Sequence, residues 1–199
     1  MPNTVDLVKL HPEWYRGSRE WREVELTSRR FVLIDGFGAP GAEAFQSSIG
    51  ALYSLVYTLK FALKKAAKDD FKIAPLEAWW YMTDAKSLAE ASWTLGIPIP
   101  ETVADGDILD ARSAAAAKRP NPALEHVRFE HVTEGRCLQR LNVGPYESVG
   151  AAVSELHDHV LPERGLRATG QHHEIYLSDP NRTAPERIKT LLRQAVTTG

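Results

Sequence analysis

The stretch from Glu43 to about Lys65 constrains the fold most. Its apolar residues Phe45, Ile49, Leu52, Val56, Leu59 and Leu63 recur at steps of four, three, four, three and four. That is the period of a helix with one buried stripe. Tyr53 and Tyr57, four apart, lie beside the stripe and give the helix an aromatic rim. A helix of this kind must bury its stripe against another layer, and strand-like runs flank it. RRFVLIDGFGAP precedes it, ended by Gly36, Gly38 and Pro40. FKIAPLEAWWYM and SLAEASWTLGIPIP follow it.

The second half repeats that order. HVRFEHV and RCLQRLNVG read as strands around a Glu134-Gly135 turn, and a helix from about Ser148 to Val160 carries Val149, Val153, Leu156 and Val160 on one face. HHEIYL and TLLRQAV read as closing strands, with a short helical turn at Thr183-Ala184-Pro185-Glu186, which has the form of a capping box. Each half is therefore strand, glycine turn, helix, strand, strand, an order that suggests an internal repeat. The expected fold is α+β, a tandem pseudo-twofold pair of strand–helix–strand–strand units around a ligand cleft. Residues 1–27 read as an irregular arm anchored by Trp14, Tyr15 and Trp21. A domain over 28–199 follows, with halves at about 28–100 and 123–199 and an alanine-rich connecting helix at about 101–118.

Two strands raise a chemical question. In HHEIYL, Ile175 and Leu177 take one face while His172, Glu174 and Tyr176 take the other. In PLEAWWYM, Glu77, Trp79 and Tyr81 share a face opposite Leu76, Ala78, Trp80 and Met82. Mid-strand carboxylates are depleted in sheets. Each such face is either a solvated surface or the wall of a cavity that wants negative charge. Aligning the two strands places Glu77 over Glu174 and Trp79 over Tyr176, so the four would converge on one acidic aromatic cleft. Such a cleft suits flat, cationic or electrophilic ligands. The expected carboxylates would there titrate as a coupled pair.

Other chemistries find little support. His172 and His173 are adjacent on a strand and point apart, while His157 and His159 diverge on a helix, so no metal site is expected. Gly36-Phe37-Gly38 lacks the rest of a dinucleotide fingerprint, and no cofactor is expected. Cys137, the single cysteine, reads as a packed small residue. A net charge of −2 gives no general attraction to nucleic acid or anionic membrane. With no apolar run of membrane-spanning length, the expectation is a cytoplasmic protein that binds an aromatic small molecule. Nothing in the residues sets an oligomeric state.

RPNPALEHVRFE, NVGPYESV and HHEIYLSDPNRTAPERIKTLLRQAV resemble the GyrI-like family of small-molecule-binding proteins, as do PLEAWWYM and the helix EAFQSSIGALYSLVYTLKFALKK. The resemblance spans roughly residues 28–196. It implies the tandem fold and a glutamate in the cleft, as in the effector-binding domains of MerR-type multidrug regulators; Glu174 is the matching position. Some stand-alone members are detoxifying hydrolases that open the cyclopropane ring of DNA-alkylating natural products; others are gyrase inhibitors or simple binders. No DNA-binding segment accompanies this resemblance, so direct nucleic-acid binding is not expected. The candidate catalytic residues are Glu174 as base, Glu77 as its alternative and Tyr146 as proton donor. The candidate ligand contacts are Trp79, Tyr176, Tyr53, Tyr57, His172 and Tyr81.

Overall fold

The computed structural model describes residues 4–81 and 90–199. The first part of the chain forms β1 (Thr4–Val5), α1 (Leu7–Leu10), α2 (Pro12–Tyr15), β2 (Arg22–Leu26) and β3 (Arg29–Phe37). Then come α3 (Glu43–Lys65), β4 (Asp70–Phe71), β5 (Glu77–Tyr81), β6 (Ser92–Pro98) and α4 (Asp105–Lys118). The remainder is β7 (Arg128–Val132), β8 (Gly135–Val143), α5 (Val149–Glu155), a wide π-type turn at Leu156–Val160, α6 (Leu161–Glu163), β9 (Leu166–Tyr176) and β10 (Lys189–Thr198). Helices and antiparallel strands mix in the α+β manner. Among the described residues, no helix is long and apolar enough to cross a membrane.

The chain divides into two compact units. One holds the described residues within Met1–Leu10, Arg29–Leu76 and Trp80–Val132. Here β3 runs antiparallel between β6 and β7, pairing Leu33 with Gly96 and Val32 with Phe129. α3 occupies the residues its apolar period predicts, and Phe45, Leu52, Val56, Leu59 and Leu63 are buried. Phe45 stacks on Trp80 at 5.7 Å and meets the edge of Trp93 at 5.2 Å. Gly36 lies opposite Trp93 in the register, and a Cβ there would sit 2.1 Å from the indole ring, so only glycine fits. Each fully buried leucine of this layer contributes about 1.5–3 kcal/mol. α4 turns Ile108, Ala111 and Ala115 inward, and its first-turn Asp105 pairs with buried Arg30.

The other unit holds His11–Ser28, Glu77–Trp79 and Thr133–Gly199. Its strands run in the order β2, β8, β10, β9, β5. Opposed residues share a sheet face, so the pairs Leu192↔Glu174, Gln194↔His172 and Gln194↔Leu138 define one side of this sheet. That side is covered by α5, the wide turn and α6, through a cluster of Trp21, Leu138, Val149, Leu156, Leu161 and Leu192. Arg193↔His173 and Arg193↔Gln139 define the reverse side. It is covered by the arm: Arg193 donates to the Trp14 carbonyl at 2.7 Å, and Gln139 to those of Glu13 and Arg16 at 3.0 and 2.8 Å.

Several expectations change. The arm is not irregular, since it forms β1, α1, α2 and β2; Trp14, Tyr15 and Trp21 are its buried anchors. The strand expected over 71–82 is interrupted between Phe71 and Glu77, where Pro75 has no N–H to offer a ladder. Met82 and the start of the next expected strand, Ser87-Leu88-Ala89, lie outside the described residues. The helix expected at 148–160 stops at Glu155 and widens before Pro162. The turn at Pro185–Arg187 forms, but Ala184 stands at its start and no side chain caps it, so Thr183 does not act as a capping residue.

Candidate functional site

β9 places alternate side chains on the two sides of its sheet, so His172, Glu174 and Tyr176 face the helices while His173 and Ile175 face the arm. On the helix side, His172 Nε2 lies 3.4 Å from Glu174 Oε1, and the two side chains are only 11% and 13% exposed. Both ring nitrogens of His172 are buried without a hydrogen-bond partner among the described residues. Tyr176 meets Tyr146 edge to face, with centroids 5.8 Å apart at 89°. Tyr146 is presented by the turn before α5. Ser148 Oγ donates to the Pro145 carbonyl at 2.7 Å and accepts from Asn142 at 2.9 Å, which holds that turn closed. Gly144 starts it at φ +149, a conformation that favours glycine, and a Cβ there would come within 3.1 Å of Ser148 Oγ.

The electrostatics follow from these neighbours. Burial raises the Tyr146 phenol above its ordinary 10.0, and the negative charges of Glu174 and Asp179 add to the effect. The phenol is thus kept protonated, which suits a donor and not a base. On the wide turn, burial lowers His157 below its ordinary 6.5, with the neighbouring His172 pushing the same way and Asp158 opposing. His157 is a neighbour of the site that sequence reasoning discarded. A π-type widening, which breaks the helical spacing used to discard it, is a frequent mark of functional positions.

The arm side holds a different constellation. Glu77 is fully buried, and its Oε2 lies 2.9 Å from His173 Nε2, an ion-pair distance that is off line for a hydrogen bond. His173 Nδ1 is 2.7 Å from Glu134 Oε1, and Arg193 donates to the other oxygen of Glu134 at 2.7 Å and to Gln139 at 2.8 Å. Trp79 stacks on the His173 ring with centroids 4.1 Å apart. The convergence of Glu77 and Trp79 with Glu174 and Tyr176 is therefore corrected: the pairs occupy opposite sides of one sheet. The alignment of PLEAWW on HHEIYL was unsafe because a one-residue offset moves every side chain to the other face.

The remaining predicted contacts belong to the other unit. There Tyr53 and Tyr57 approach to 6.3 Å along α3, with Tyr57 exposed. Tyr81 pairs its hydroxyl with Thr94 Oγ1 at 3.2 Å, and Thr94 donates to Asp35 at 2.6 Å. Among the described residues, no group of three or more His, Cys, Asp or Glu side chains is arranged to hold a metal ion. Glu77 and Glu134 grip opposite edges of one imidazole instead of converging on a point.

The fold has known relatives. The chain is 31% identical to an uncharacterised conserved protein from Listeria innocua, with a TM-score of 0.89 over 98% of this chain and 100% of that one. A hydrolase from Listeria innocua is 30% identical, with a TM-score of 0.87 and the same coverage. The C-terminal domain of EcmrR shares the fold at 11% identity, with a TM-score of 0.60 over 90% of this chain and 98% of that domain. No curated protein matches. Residues 19–194 match the GyrI-like small molecule binding domain, and the chain belongs to that family.

Proposed function

We propose that this protein binds planar aromatic molecules carrying positive charge or an electrophilic centre, and that it binds them on the helix side of β9. The observation that carries the reading is Glu174, a largely buried carboxylate beside His172 and the Tyr146–Tyr176 pair. A carboxylate kept mostly from water favours a cationic partner more strongly than one in bulk solvent. Tyrosine faces and edges add stacking and cation–π attraction. Glu174 would supply charge or accept a hydrogen bond, Tyr146 and Tyr176 would hold the ring, and His172 would offer its unused nitrogens. Tyr53, Tyr57 and Tyr81, expected as contacts from their spacing in the sequence, lie in the other unit and take no part in this proposal. Glu77 and Trp79 leave the proposal because they serve the arm side. A panel of cationic dyes, titrated into the wild type, tests the reading; absence of binding by every dye would overturn it.

A second reading, protective hydrolysis of cyclopropanoid DNA-alkylating compounds, draws support from the hydrolase that is 30% identical. Glu174 would take a proton from water, whose oxygen would attack a ring carbon. The cyclopropane C–C bond would break toward the conjugated carbonyl, and Tyr146 would donate to the oxygen that becomes phenolate. Incubation with a duocarmycin-type compound should yield the water adduct by mass spectrometry, with Glu174→Gln slower. Stoichiometric capture without adduct would leave a sequestering protein. Inhibition of gyrase with no binding of small molecules would favour the interaction-protein alternative.

A further inference from the structure

The register of β9 changes just before the proposed site. Gln194 pairs with His172, but the next residue, Ala195, pairs with Thr169, so Gly170 and Gln171 are extra residues on β9. Gly170 adopts a positive φ of 66°, and Gln194 spans the irregularity by donating to the Thr169 carbonyl at 2.8 Å. A bulge re-aims the side chains that follow it. Whatever fixes the strand beyond the bulge therefore decides which residue faces the helices.

His173 is the first arm-side residue after that bulge, and it is held from three directions. Glu77 and Glu134 take opposite edges of its ring at 2.9 and 2.7 Å, and Trp79 covers its face. Glu134 is itself anchored by Arg193, which reaches through to the arm at Trp14. We propose that His173, Glu77, Glu134 and Trp79 are positioning residues that lock the phase of β9 and so keep Glu174 on the ligand side. The inference rests on the reading of Glu174 as the ligand carboxylate. A slip of one residue toward Tyr176 would set Glu174 between the two carboxylates of the clamp. A slip the other way would bury it at the place of Ile175, which has no exposed surface. Both are electrostatically costly, so the clamp selects one register.

The test compares the wild type with a doubly substituted chain, Glu77→Gln with His173→Gln, which replaces both partners of the buried contact together and so leaves neither facing an unmatched group. If even that chain does not fold, Glu77→Gln alone, which loosens one edge of the ring, takes its place. Hydrogen exchange over residues 172–176 should accelerate by about tenfold, while exchange over 136–141 keeps its wild-type rate. Affinity for ethidium should fall by about tenfold, and adding Glu174→Gln should then cost almost nothing further. Wild-type protection at 172–176, equal acceleration in both segments, or fully additive losses of affinity would each overturn the clamp. If the wild type binds no ethidium, the functional reading fails on its own, and the exchange comparison still decides the register.

Discussion

His172 and His173 are neighbours in the chain, yet their surroundings differ. His173 lies between two carboxylates and under an indole, with only 1% of its side chain exposed. His172 has one carboxylate at 3.4 Å and, among the described residues, a hydrogen-bond partner for neither ring nitrogen. On the arm side, His173, Glu134, Arg193 and Gln139 form one connected set of hydrogen bonds. On the helix side, Glu174 and His172 are both largely shielded from water. Buried polar atoms are almost always paired, so His172, with both ring nitrogens left over among the described residues, draws attention to the helix side.

The difference can be broken most forcefully at Arg193. Arg193→Met leaves Glu134 buried beside His173 without its guanidinium and removes the tie to Trp14, which should cost about 3–5 kcal/mol. A urea midpoint that hardly moves would show that the arm side is not held by its charges. Adding Glu134→Gln should recover part of the loss, because the stranded carboxylate goes with it.

Trp79→Phe is the next smaller effect. The shorter ring still covers His173, so a loss of about 1–2 kcal/mol is expected, with dye affinity falling far less than for a contact residue. Stability retained with affinity lost would place Trp79 on the ligand and return it to the role the sequence suggested.

How much was legible in the sequence can be read from these same residues. The stripe of α3 predicted its helix because every contact that shapes it repeats at a local period. Alternation along HHEIYL likewise assigned Glu174 and Ile175 to opposite sides. The clamp was not legible, because its members come from β5, the turn before β8, β9 and β10, and periodicity carries no information on which distant strands meet. Arg193 inside the apolar run TLLRQAV was the available signal, since a buried arginine requires a carboxylate partner. Glu77 was misplaced by one register step, and the extra pair Gly170-Gln171 shows how little sequence is needed to change a register. The arm hid its short elements because their regularity comes from distant partners, β4 for β1 and β8 for β2, and not from its own composition.

The smallest expected effect concerns His157. Its folded value lies below the ordinary 6.5, so the native protein prefers the neutral ring. Stability from this group is present above the unfolded value and is lost as pH falls through the depressed folded one. His157→Gln should therefore lose stability less steeply between pH 7 and 5 than the wild type, about one proton's worth of slope at most. Parallel urea midpoints across that range would show that partial burial leaves the His157 titration unchanged on folding.

The claim that the ligand side is the helix side of β9 is tested most directly by ethidium affinity in two single variants at fixed pH and salt. Glu174→Gln should bind about tenfold more weakly than wild type at nearly unchanged stability, while Trp79→Phe binds almost as wild type does. Wild-type affinity in Glu174→Gln, together with a large loss in Trp79→Phe, would contradict it and place the ligand on the arm side.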